Sequence, residues 1–221
     1  MKYKGIFFDF DYTLGDATEA IVAGFLYGLH TMGYQQMPTR EKIRGTVGFV
    51  LKDGFTWLTG EKDEDKRTEF AKLYRSICTP AQIATAVLFE GCEELLAHLR
   101  GKGVKLAVVS SKPSHILVEI LKARGIFDYF DFVIGPDQVP APKPDPAGIL
   151  RTLEVTGLEK SEVLYCGDTV IDAEAGQRAG VDFCAVLNGI TPAKDFEAFP
   201  YAHIAPDLPE LQGWLDKEGL V

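Results

Sequence analysis

The residues of this chain best suited to chemistry are two pairs of carboxylates. Asp9 and Asp11 lie in Asp9-Phe10-Asp11-Tyr12-Thr13-Leu14, directly after the apolar run Gly5-Ile6-Phe7-Phe8. Residues two apart in a strand face the same side, so both carboxylates are expected to converge at the strand's end. Two ionised carboxylates that close repel, and holding both at neutral pH takes a cation or a shared proton. The second pair, Asp168 and Asp172, lies in Gly167-Asp168-Thr169-Val170-Ile171-Asp172, after the apolar run Val163 to Cys166. Taken singly, the first pair could cap a turn and Asp172 could complement a helix dipole. Two acidic clusters at the same edge of a parallel sheet point instead to a divalent ion. All-oxygen ligands with room for water suit Mg²⁺.

A site for moving phosphoryl groups also needs donors for the transferring oxygens. Ser110-Ser111-Lys112 follows Val108-Val109 and is expected to open a helix, where hydroxyls and backbone N–H groups form an anion pocket. Lys143 lies among closely spaced prolines (Pro142, Pro144 and Pro146), which restrict the backbone and could aim its ammonium inward. Lys112 is expected to be solvent-exposed.

The elements that must carry these residues can be read from periodicity. Gly5 to Phe8, Lys105 to Val109, Phe130 to Ile134 and Val163 to Cys166 are continuously apolar, as strands covered on both faces are. Helix-compatible stretches follow the last three, at Pro113 to Ala123, Pro146 to Leu153 and Ile171 to Ala179. A further strand is expected at Phe183 to Leu187 and a closing helix at Pro209 to Leu215. This alternation predicts an α/β, doubly wound, Rossmann-like parallel sheet. From Asp16 to about Pro80 apolar residues recur at helical spacing instead (Ile21, Phe25, Leu29; Phe70, Leu73, Ile77). The predicted organisation is an α/β core of residues 1–15 and 81–221, with an all-helical cap of residues 16–80 inserted where ligands bind in open sheets.

Composition narrows the partners. Of 221 residues, 46% are hydrophobic and 25% charged, a globular balance, and the net charge of −9 disfavours nucleic acid and anionic membranes. An anionic substrate would have to be drawn in by local positive charge. The four cysteines lie far apart with no C-x-x-C spacing, which reads as reduced buried thiols. The first residues lack a signal-peptide pattern, so a cytoplasmic location is expected. Phosphate-loop, dinucleotide-binding, H-E-x-x-H and G-x-S-x-G patterns are all missing. Oligomeric state is left open.

The four stations in this order resemble the haloacid dehalogenase superfamily, specifically its phosphoglycolate-phosphatase-like branch with a helical cap, over nearly the whole chain. The resemblance implies that Asp9 attacks phosphorus to form an aspartyl-phosphate, while Asp11 protonates the leaving oxygen and then activates water. It further implies that Asp9, the backbone carbonyl of Asp11, and Asp168 hold Mg²⁺, that Asp172 orders metal-bound water, and that Ser110 and Lys143 hold phosphoryl oxygens. Thr13 and Ser111 join the substrate-binding set. So do Arg44, Thr46 and Gly48 of Arg44-Gly45-Thr46-Val47-Gly48, which resembles the cap's substrate loop or else is a plain turn between helices. Tyr12 departs from the glycine common in the family. The implied partner is a small phosphate ester such as phosphoglycolate, with a phosphosugar mutase (β-phosphoglucomutase-like) as the alternative and a non-enzymatic phospho-acceptor module as the third reading.

Overall fold

The computed structural model describes all 221 residues. In chain order its elements are β1 (Gly5–Phe8), β2 (Gly15–Asp16), α1 (Thr18–Thr31), α2 (Arg40–Arg44), α3 (Leu51–Thr59), α4 (Glu64–Thr85), β3 (Val87–Leu88), α5 (Cys92–Gly101), β4 (Lys105–Val109) and α6 (Ser114–Ala123). They continue as β5 (Phe132–Ile134), α7 (Ala147–Thr156), β6 (Val163–Gly167), α8 (Val170–Ala179), β7 (Asp182–Val186), β8 (His203–Ala205) and α9 (Leu208–Lys217). None of the helices is long and apolar enough to cross a membrane.

Six strands form one parallel sheet in the order β5-β4-β1-β6-β7-β8. Every residue of the central strand β1 is buried, because helices must cover both faces of an all-parallel sheet. Burying a phenylalanine such as Phe7 or Phe8 contributes about 1.5–3 kcal/mol, so this four-residue strand holds firmly despite its length. Phe8 pairs with Val108 on one side and Cys166 on the other, which fixes the register of the three neighbouring strand ends. The sheet is α/β and Rossmann-like, as the alternation predicts. It also contains an edge strand, β8, that was not anticipated; three residues are too few to carry a periodic signal. Helix α5 was likewise not anticipated, although its buried Cys92, Leu95, Leu96 and Leu99 stand at helical spacing.

The chain divides into two compact units, Met1–Asp16 with Leu88–Val221, and Ala17–Val87. At the two crossing points β2 and β3 form a small sheet of their own, and the Phe89 N–H donates to Leu14 O at 3.0 Å. In the helical unit α1 lies tightly against α4. A Cβ on Gly24 would come within 2.7 Å of Cys78 Cβ, an approach that only glycine allows. Phe55 stacks on Phe70 with ring centroids 4.3 Å apart, and Phe25 lies 5.2 Å from Phe70. Asp63 caps α4 by accepting from the Lys66 N–H at 3.0 Å. A proline inside a helix loses one backbone bond and clashes with the preceding turn. Helix α4 nevertheless continues through Pro80 to Thr85.

Candidate active site

Four chain segments bring their ends to one edge of the sheet. Asp9 follows β1 and continues its ladder, its N–H donating to Cys166 O at 2.9 Å. The next turn is tied by the Thr13, Leu14 and Gly15 N–H groups, which all donate to Phe10 O. Within it Tyr12 takes φ 57°, the left-handed region that favours glycine, so the conformation is set by this hydrogen bonding and by burial of the ring. Carboxylate oxygens of Asp9, Asp168 and Asp172 lie within 4.8 Å of one another, all buried. Gly167 makes this possible, since a Cβ there would sit 2.4 Å from Asp172 Cβ.

Lys143 is buried among these acids. Its Nζ donates to Asp172 Oδ1 at 2.6 Å and to the Tyr165 hydroxyl at 3.1 Å, and lies 3.2 Å from Asp9 Oδ1. Burial works against its charge, but Asp172 and Asp9 more than offset that and hold the ammonium protonated above the ordinary lysine range. Burial pushes the Asp9 carboxyl up to about 6, with Lys143 and a hydrogen bond from Ser110 pulling down and Asp172 and Asp11 pushing further up. Asp168 is pushed well above the usual range, by burial first and then by the charges of Asp172 and Asp9. Neither Asp168 oxygen has a hydrogen-bond partner, and both are buried.

The donor set fits a divalent metal ion. Four carboxylates (Asp9, Asp11, Asp168 and Asp172) face only two ammonium groups, Lys112 and Lys143, which leaves an excess of negative charge out of water. All the candidate ligand atoms are hard oxygens. Gly189, in the loop after β7, leaves open the space beside Asp168, where a Cβ would come within 2.2 Å of Oδ2.

Residues 6–186 match the haloacid dehalogenase-like hydrolase family. The chain belongs to that family. Among solved structures, a haloacid dehalogenase-like hydrolase from Bacteroides fragilis is 35% identical, superimposes with a TM-score of 0.91, and is covered over its full length by 95% of this chain. Among sequence relatives, pyrophosphatase PpaX of Bacillus velezensis is 30% identical over 95% of both chains. The phosphoglycolate phosphatase of Nitrosospira multiformis is 28% identical over 98% of this chain and 97% of its own.

In this hydrolase several predicted residues are placed differently from the sequence reading. Strand β1 ends at Phe8, so strand alternation does not govern Asp11. Its Oδ2 lies instead 3.1 Å from Lys112 Nζ, outside the three-carboxylate cluster. Lys112, expected in solvent, is buried. Asp172 spends both oxygens within the protein: Oδ1 accepts from Lys143 and from the Tyr165 hydroxyl (2.8 Å), and Oδ2 accepts from the Thr169 N–H (3.1 Å) and hydroxyl (2.5 Å). Its carboxylate nevertheless stands close enough to those of Asp9 and Asp168 for the three to hold one ion. Helix α6 begins at Ser114, beyond the predicted anion pocket, and Asp137 already caps it by accepting from the Ser114 N–H at 2.8 Å and hydroxyl at 2.6 Å. Ser110 and Ser111 therefore offer hydroxyls, not a helix terminus, and the Ser110 N–H is already spent on Ile134 O at 3.0 Å.

Thr13 is buried with its hydroxyl unpartnered, as is the Ser111 hydroxyl. The three cap-loop residues all lie in the helical unit. Arg44 ends α2 and Gly48 takes φ 93°. Thr46 is buried and donates its hydroxyl to Ile43 O at 2.7 Å, a bond internal to its own turn. Sequence reasoning missed Tyr165, Asn188 and Gly189. Asn188 Nδ2 donates to Thr13 O at 3.2 Å, tying the loop after β7 to the Asp9 turn. Tyr165 lies inside an apolar run and reads as core, and no spacing rule marks its hydroxyl.

Proposed function

We propose that this hydrolase is a Mg²⁺-dependent phosphatase of small phosphate esters that works through an aspartyl-phosphate on Asp9. The observation that carries the reading is the buried, undercompensated acid cluster of Asp9 and Asp168 beside the protonated Lys143. Asp9, Asp168 and the backbone carbonyl of Asp11 would hold the ion, which when bound offsets the negative charge of the carboxylates and of the phosphoryl group. Asp9 attacks phosphorus in line, forming the Asp9 O–P bond as the bond from phosphorus to the leaving oxygen breaks. Asp11 gives that oxygen its proton, then takes one from the water that hydrolyses the acyl phosphate and frees Asp9. Lys112 keeps the Asp11 carboxylate in place through the 3.1 Å ion pair. Lys143 and the Ser110 hydroxyl receive phosphoryl oxygens, with Thr13 and Ser111 lining the same edge. Asp172 positions Lys143. The choice of leaving group is assigned to the helical unit, residues 17–87, with Arg44 and Gly48 as its candidate residues.

The names of the relatives, pyrophosphatase and phosphoglycolate phosphatase, support a small and strongly anionic substrate. The test is turnover of an aryl phosphate with Mg²⁺, followed by a panel holding pyrophosphate, phosphoglycolate and a hexose 1-phosphate. Asp9→Asn is expected to abolish turnover and Asp11→Asn to lower it about 10²–10⁴-fold. Undiminished turnover in Asp9→Asn would reject Asp9 as the nucleophile. Isomerised hexose phosphate with little free phosphate would mark a mutase instead.

A further inference from the structure

We infer that Tyr165 is a positioning residue that fixes the direction of the Lys143 ammonium; the inference rests on Lys143 acting on the phosphoryl group as proposed above. A lysine ammonium has three N–H donors on a freely turning C–N bond. Here two of them are taken, by Asp172 Oδ1 at 2.6 Å and by the Tyr165 hydroxyl oxygen at 3.1 Å, which leaves the third toward Asp9, 3.2 Å away, or toward an incoming phosphoryl oxygen. Asp172 alone would permit rotation about a single hydrogen bond. The second fixed acceptor removes that freedom.

The tyrosine is itself held from three sides. It sits in the fully buried strand β6, its ring packs 6.2 Å from Phe183, and its one proton is shared between Val109 O at 3.1 Å and Asp172 Oδ1 at 2.8 Å. Val109 is the last residue of β4, directly before Ser110. One phenol thus links the segments carrying Ser110, Asp172 and Lys143. A hydrocarbon core needs no hydroxyl there, and the hydroxyl meets only groups that surround Lys143.

The variant is Tyr165→Phe, which keeps the ring and removes only the oxygen. In metal-free protein carrying ¹⁵N-lysine, the buried Lys143 ammonium is expected to give a slowly exchanging ¹H–¹⁵N resonance, assigned by its disappearance in Lys143→Arg. In Tyr165→Phe that resonance is expected to broaden by exchange with water. With Mg²⁺ and an aryl phosphate, kcat is expected to fall about tenfold, the scale of one lost hydrogen bond to a charged group, with KM within about twofold. A sharp, unshifted resonance together with wild-type kcat in Tyr165→Phe would overturn the inference, as would a lower melting temperature with kcat unchanged. Full turnover in Lys143→Arg and in Lys143→Met would instead refute the phosphoryl role of Lys143, and the metal-free resonance would still decide whether Tyr165 holds it.

Discussion

In metal-free protein, stability should fall as pH rises, and the size of the fall can be worked from Asp9. Its carboxyl is raised from 3.8 to about 6 in the folded chain, chiefly by burial, so the folded state binds that proton more tightly than the unfolded one. A raised acid contributes stability that is complete below the unfolded value and is lost as pH passes through the folded value. About two pH units at 1.36 kcal/mol each give about 3 kcal/mol, lost between about pH 4 and pH 7. That is a large share of the ~5–15 kcal/mol that holds a typical domain folded. Asp168, raised in the same direction, adds to the loss. Mg²⁺ at a hundred times its dissociation constant should return about 2.7 kcal/mol near neutral pH and less in acid, where protons compete for the same oxygens. The assay is urea unfolding of metal-free protein at several pH values, comparing wild type with Asp9→Asn so that the surface acids cancel. Wild type should lose about 3 kcal/mol relative to the variant across that window. Parallel pH profiles, or a wild-type midpoint near pH 7.5 that Mg²⁺ leaves unmoved, would refute the reasoning.

Two further changes probe the site's edges. Gly189→Ala places a Cβ 2.2 Å from Asp168 Oδ2, so the carboxylate must swing away; calorimetry is expected to show Mg²⁺ affinity reduced about 10–100-fold, the usual scale for disturbing a ligand's surroundings. Lys112→Met removes the ion partner of Asp11 and should lower kcat about tenfold with the far-UV spectrum unchanged, whereas wild-type kcat would mean that Asp11 needs no anchor.

The framework of the sheet was legible because its strands are buried on both faces, and buried strands leave continuous apolar runs such as Ile6-Phe7-Phe8. The acids at their ends were legible for the same reason: an aspartate directly after such a run has no core role to play. What could not be read was pairing. Lys112 and Lys143 look alike in sequence, both following a strand and both near prolines, yet their partners are Asp11 in one case and Asp9 with Asp172 in the other. Tyr165 was hidden because the ring satisfies the pattern of the core and only its oxygen takes part in the site. Edge strand β8 is too short for periodicity, and α4 runs on through Pro80, past the expected end of the helical unit.

The common register of β1 with its two neighbours sets a ruler for the charges. With Phe8 opposite both Val108 and Cys166, β1 stops one residue short of both neighbours, and the groups that follow inherit the ~4.8 Å pitch of adjacent backbones. Loops and the inserted helices can drift in sequence, lengthen or be exchanged, and that pitch will not change. Adapting this scaffold to a differently sized reacting group would require breaking main-chain ladder bonds, whereas adapting it to a different leaving group would not.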